Sequence, residues 1–83
     1  MVKAVIHIVV EPKHMDRVLD KLLSSSVIEK IYEVTGEYDL IAVANVSSYE
    51  EAAKFVREEL HSLEGVIRTV TSLVVEEYPG RNL

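Results

Sequence analysis

The turn Gly36-Glu37-Tyr38-Asp39 gathers two carboxylates and a phenol into four residues of a chain that has no cysteine at all. Such a turn needs glycine for positive φ and aspartate for local hydrogen bonds to backbone, and those needs alone account for many Gly-x-x-Asp turns. They do not account for Glu37 and Tyr38, which place a second charge and an aromatic ring beside a rigid sheet, where binding groups are favoured. Thr69 and Thr71 form the second pair. Two residues apart on a strand, they put both hydroxyls on one side, able to converge on one small molecule. Plain β-propensity explains a Thr-x-Thr pair on an exposed strand as well. Other chemistry finds little support: His7, His14 and His61 have no metal-ligand spacing, no serine sits on a nucleophile elbow, and no Gly-rich loop precedes a helix to cradle phosphate. We therefore expect no catalytic residue, no metal and no cofactor.

The elements that must position these residues alternate between two periods. Val2 to Val10 reads as a strand, with Val2, Ala4, Ile6, Ile8 and Val10 on one face and Lys3, Val5, His7 and Val9 on the other. Both faces are largely apolar, which argues that both are covered. After Glu11-Pro12 the period changes: Met15, Val18, Leu19, Leu22 and Leu23 make one helical stripe between Lys13 and Leu23. Val27 to Thr35 and Leu40 to Val46 are the second and third strands, antiparallel neighbours across the short turn. Ser48-Tyr-Glu-Glu51 is a capping box for a helix that buries Ala52, Phe55, Val56, Leu60 and Leu63. Gly65 resets the chain, and Val66 to about Tyr78 is the last strand. The order β-α-β-β-α-β with right-handed crossovers predicts an α+β, ferredoxin-like fold: a four-stranded antiparallel sheet with both helices on one face. The uncovered apolar face predicts sheet-on-sheet packing into a dimeric α+β barrel.

Length and composition set bounds. Eighty-three residues make one domain, here residues 1–78, followed by a loose tail at 79–83. A chain this short buries only about 60–65% of its unfolded surface, yet 48% of its residues are hydrophobic, an excess that points to self-association. No run of about 18 apolar residues is present and the N-terminus is not a signal peptide, so the expected location is cytoplasmic. The net charge is −5, with the basic residues scattered, which argues against direct nucleic-acid binding.

The segment Val34-Thr-Gly-Glu-Tyr-Asp-Leu40, together with Gly65-Val66-x-x-Thr69-x-Thr71, resembles the effector-binding domain of the Lrp/AsnC family, the RAM domain (regulation of amino acid metabolism). The resemblance runs from Val2 to about Tyr78. Family members typically carry a helix-turn-helix domain ahead of this one, so the chain resembles the stand-alone form. The resemblance implies dimers that close into rings such as octamers, free amino acids or related metabolites held between dimers, and a full-length Lrp/AsnC regulator as a partner. It implies a ligand site made by Gly36, Glu37, Tyr38 and Asp39 with Thr69, Thr71 and the adjacent Ser72. The chemistry agrees: Asp39 suits an ammonium group, turn amides around Gly36 can receive a carboxylate, and the threonines add hydroxyls. Two other readings stay open. One is a small cofactor-free enzyme of the dimeric barrel type, with His7 as its only strand histidine. The other is a scaffold partner that binds no ligand.

Overall fold

The computed structural model describes residues 1–81; the last two residues of the expected tail lie outside the described ones. The elements follow the order read from the sequence. They are β1 (Val2–Val10), a 3-10 turn (Pro12–His14), α1 (Met15–Leu23), β2 (Ile28–Glu33), β3 (Leu40–Val46), α2 (Tyr49–Phe55) continued by one π-helical stretch (Val56–Leu60), and β4 (Val66–Leu73). The strands lie in the order β2-β3-β1-β4 and every neighbouring pair is antiparallel. This is the ferredoxin-like α+β arrangement.

One face of the sheet makes the core. Ala4, Ile6, Ile8 and Val10 of β1 and Leu40, Ala42, Ala44 and Val46 of β3 are buried on it, against Val18 and Leu22 of α1 and Ala52, Phe55, Val56 and Leu60 of the second helix. Register pairs Ala4 with Ala44 and Ile6 with Ala42. The small residues let the helices come close, and Ile6 fills the space beside Ala42.

Ser48 caps α2 as the sequence predicts, its hydroxyl accepting from the Glu51 amide at 3.2 Å. Glu51 reaches back one residue further than expected, accepting from the Ser47 amide and hydroxyl, each at 3.0 Å. Ser48→Ala is expected to cost about 1 kcal/mol of stability, the usual worth of such a cap, read as a lower denaturant midpoint with an unchanged slope.

Two strand boundaries and the burial of one side chain differ from expectation. β4 ends at Leu73, not near Tyr78. The Val74 amide still donates to the Lys3 carbonyl at 2.9 Å, but β1 begins at Val2, so later residues have no strand to pair with, and Val75 is 95% exposed. Among the described residues the stretch is held back at Glu77, which pairs with Lys3 at 3.2 Å; this carboxylate, with Glu29 farther off, raises the Lys3 pKa above its ordinary value. β2 covers Ile28–Glu33 inside the expected span, with a register shift between Ile28 and Lys30. Leu23 ends the apolar stripe of α1 but is 72% exposed, because the helix stops there.

Candidate functional site

The expected turn forms as a tight connection between β2 and β3. It is closed by the Val34 amide donating to the Asp39 carbonyl at 2.9 Å. Gly36 has φ +107°, a value that favours glycine, and a Cβ there would meet no heavy atom within 4 Å. Glu37 is exposed.

Asp39 does more than shape its own turn. Its amide donates to the Ile8 carbonyl at 2.9 Å, one step past the last β1–β3 pair, Ile8 with Leu40. Its carboxylate Oδ2 then accepts from the Val10 amide at 2.8 Å. Val10 lies where β1 shifts register against β4, so the side chain supplies the acceptor that the ending ladder does not. Oδ1 has no hydrogen-bond partner among the described residues.

Tyr38 turns onto the face of the sheet away from the helices. Its ring lies 5.0 Å from that of His7, and the Arg68 guanidinium sits over it, 5.4 Å from the ring centre. Around this stack the open face is apolar. His7 has Ile41 and Val70 as its lateral neighbours, and Val5 lies between Val43 and Ser72. His7 Nδ1 is buried with no hydrogen-bond partner among the described residues. Ser72 belongs to this open face and is exposed.

Thr69 and Thr71 share one side of β4, as expected, but it is the other side. They pair with the core residues Ile8 and Ile6 and so face the helices. There they line a groove of about 440 Å³ with Tyr49, Val56, Arg57 and His61. His61 Nε2 and Thr69 Oγ1 are 2.9 Å apart. No residue of the 36–39 turn lines that groove. The seven expected site residues therefore fall into three places within one chain: the turn with Asp39 at the end of the sheet, Tyr38 and Ser72 on the open face, and the two threonines in the groove.

The groove's helical wall was missed in the sequence reading. Tyr49, Ala53, Arg57 and His61 recur every four residues, a flank beside the apolar stripe, and that spacing was legible. The π-helical stretch that sets the last two was not. Its mark is the His61 amide donating to the Val56 carbonyl, five residues back, at 2.9 Å. Such insertions concentrate at functional sites.

Comparison with known proteins assigns this architecture. Residues 3–82 match the family described as the Lrp/AsnC ligand binding domain. The chain belongs to that family. Among relatives of this Lrp/AsnC domain, YugG of Bacillus subtilis (strain 168), an uncharacterized HTH-type transcriptional regulator, is 31% identical over 80 residues, 93% of this chain and 48% of YugG. The chain thus spans about half the length of the regulators it matches. Among solved structures, TTHA0845 from Thermus thermophilus superposes with a TM-score of 0.88 at 31% identity, covering 96% of this chain and all of that one. The transcriptional regulator NMB0573 from Neisseria meningitidis, solved as a complex with L-Met, has the same fold: TM-score 0.88 at 20% identity, over 95% of this chain and 53% of that one. An Lrp/AsnC domain with these relatives is a ligand-binding module of a regulatory family. Among its described residues no helix is long and apolar enough to cross a membrane.

Proposed function

We propose that this Lrp/AsnC domain is a non-enzymatic module of the cytoplasm that binds a free amino acid or a closely related metabolite. Occupancy controls its assembly into dimers and rings of dimers, and through them a regulator of transcription. The observation that carries the reading is Asp39, whose carboxylate has one oxygen fixed by the Val10 amide and the other without a partner among the described residues. It is a positioned anion of the kind an ammonium group requires. The separation of the turn from the threonine groove fits a site completed between copies, where the turn of one chain meets the groove of another. Ligand bound across such a junction favours the assembled state by its differential affinity for it. The L-Met bound by NMB0573 is a ligand of the proposed class.

Dimerisation uses the open sheet face, where Val5, Ile41, Val43 and Val70 surround His7. The reading leaves His7 without a catalytic part, since its ring meets Tyr38 and apolar strand neighbours rather than an acid or a metal site. DNA contact is left to a helix-turn-helix segment or a partner regulator: the chain carries a net charge of −5, and both helices bury their apolar faces on the sheet.

Asp39→Asn tests the reading. Asparagine keeps an oxygen for the Val10 amide and removes only the charge. Calorimetric titration, after a thermal-shift screen over the free amino acids, should show about tenfold weaker binding. That is the difference between a charged and a neutral hydrogen bond, about 1–1.5 kcal/mol. The melting temperature of the ligand-free protein should stay within about 2 °C, as for a change of a few tenths of a kcal/mol. Equal affinities would end the role of Asp39, and a wild type that bound no amino acid would leave the scaffold reading in its place.

A further inference from the structure

We infer that the groove between the second helix and β4 is a carboxylate-binding site, with Arg57 as its anchoring cation, Thr69 and Thr71 as its hydroxyl donors, and His61 as the residue that orients Thr69. The inference deepens the proposed function and rests on it for the ligand's other end: Asp39 takes the ammonium, and this groove takes the acid.

Three observations meet here. First, Arg57 lines the groove without a protein counter-ion. Among the described residues the ion pairs are Lys3–Glu77, His14–Glu11, Arg17–Glu64 and Lys21–Glu59. Glu59, on Arg57's own helix, is thus taken by Lys21, and Glu51 by Ser47. A guanidinium offers a planar fork of donors that fits a carboxylate in two parallel hydrogen bonds. Second, His61 is tied to Thr69 at 2.9 Å. With the proton on Nε2, the imidazole donates to Thr69 Oγ1, and the threonine hydroxyl proton is free for a ligand oxygen. Thr71 adds a second hydroxyl from the same side of β4. Third, the wall next to these donors is apolar, with Val56 and Ala53 on the groove's lining and the Tyr49 ring beside them. A volume of about 440 Å³ takes a small organic acid with its side chain, not merely an inorganic ion. Donors gathered beside an apolar wall suit a ligand with one charged end and one apolar end.

The π-helical stretch gives the arrangement its cause. The bond from the His61 amide to the Val56 carbonyl widens the turn that runs from Val56 to His61 by one residue. That insertion sets His61 against Thr69 on the neighbouring strand.

The test uses the 83-residue chain, with pyruvate and phenylpyruvate as carboxylates without an ammonium, phenylacetamide as an uncharged counterpart, and sulfate as a plain anion. The two oxo acids should shift the His61 ring and Thr69 and Thr71 methyl NMR signals; phenylacetamide should not. Arg57→Gln exchanges one good helix former for another at an exposed position, so the fold persists, and oxo-acid affinity should fall at least fivefold. Arg57→Gln binding the oxo acids like wild type would overturn the inference, as would phenylacetamide or sulfate moving the same signals at equal concentration. The two readings separate cleanly. Amino acids that bind through Asp39 with no effect of Arg57→Gln would sink this inference and spare the proposed function. Oxo acids that bind in the groove while no amino acid binds would do the reverse.

Discussion

Val5→Asp is expected to turn the proposed dimer into folded monomers. Val5 lies at the middle of β1, between Val43 on β3 and Ser72 on β4, on the face the helices do not cover. In a lone chain this position is half-buried, so an aspartate there keeps much of its water, and the cost to the monomer is about 1 kcal/mol of strand preference. In a two-fold dimer packed face to face, the same patch meets its own copy, so one substitution buries two carboxylates. Each costs several kcal/mol when desolvated without a partner. A loss of about 6 kcal/mol in association corresponds to roughly four orders of magnitude in Kd. Sedimentation at about 10 µM should then show a monomer with the circular dichroism of the wild type. Val5→Thr, which keeps the β-branch and adds no charge, should remain assembled. A Val5→Asp protein that sediments like wild type would place the interface elsewhere. A wild type already monomeric at this concentration would remove the oligomer from the proposed function.

The patterns that were legible in the sequence are those with a fixed period. Alternation along Val2–Val10 separated the buried Ala4, Ile6, Ile8 and Val10 from the open-face Val5, His7 and Val9 correctly. The stripe of the second helix named Ala52, Phe55, Val56 and Leu60 as core, and these four are buried, whereas Leu63, also named, lies past the end of the helix and is only partly buried. Gly36 was legible because only a left-handed backbone gives glycine an advantage there. Features that depend on where one strand stops against another were not. The end of β4 is set by the start of β1, a fact no window within residues 66–78 contains. The bond from the Val10 amide to Asp39 spans two strands and depends on the register between them, so the turn motif showed the carboxylate but not its partner. Thr69 and Thr71 were placed together by alternation. Which face they share follows only from pairing Thr69 with Ile8, and that pairing puts them under the helix and away from Tyr38 and Ser72. The π-helical stretch has no residue signature, since it changes a hydrogen-bond partner and not a pattern of apolar residues.

Gly65→Ala is expected to be the most damaging single-methyl change in the protein. Gly65 has φ +100°, and a Cβ built on it would lie 2.3 Å from His14 Cβ and 2.9 Å from His14 Cγ. The contact cannot be relieved by a rotamer change, because a Cβ moves only with its backbone. That backbone is held: the His14 amide donates to the Glu11 carbonyl at 2.9 Å, and the Glu11 amide donates to the Gly65 carbonyl at 2.8 Å. Gly65 therefore joins the two connections, β1 to α1 and the second helix to β4, at a close approach that only a hydrogen can fill. Forcing a left-handed backbone on alanine costs about 1–2 kcal/mol, and overpacking a tight contact costs about 1–3 more. The sum of about 2–5 kcal/mol should lower the melting temperature by roughly 8–40 °C at fixed protein concentration for a domain of this size. Gly36→Ala supplies the internal comparison. Its φ is +107° but its Cβ meets nothing within 4 Å, so only the backbone part of about 1–2 kcal/mol should appear. Adding His14→Gly to Gly65→Ala removes the clashing Cβ, and the pair should interact favourably in a double-mutant cycle by about 1 kcal/mol or more. Equal losses for Gly36→Ala and Gly65→Ala, or a cycle with no interaction, would mean that the approach to His14 is not what requires glycine at position 65.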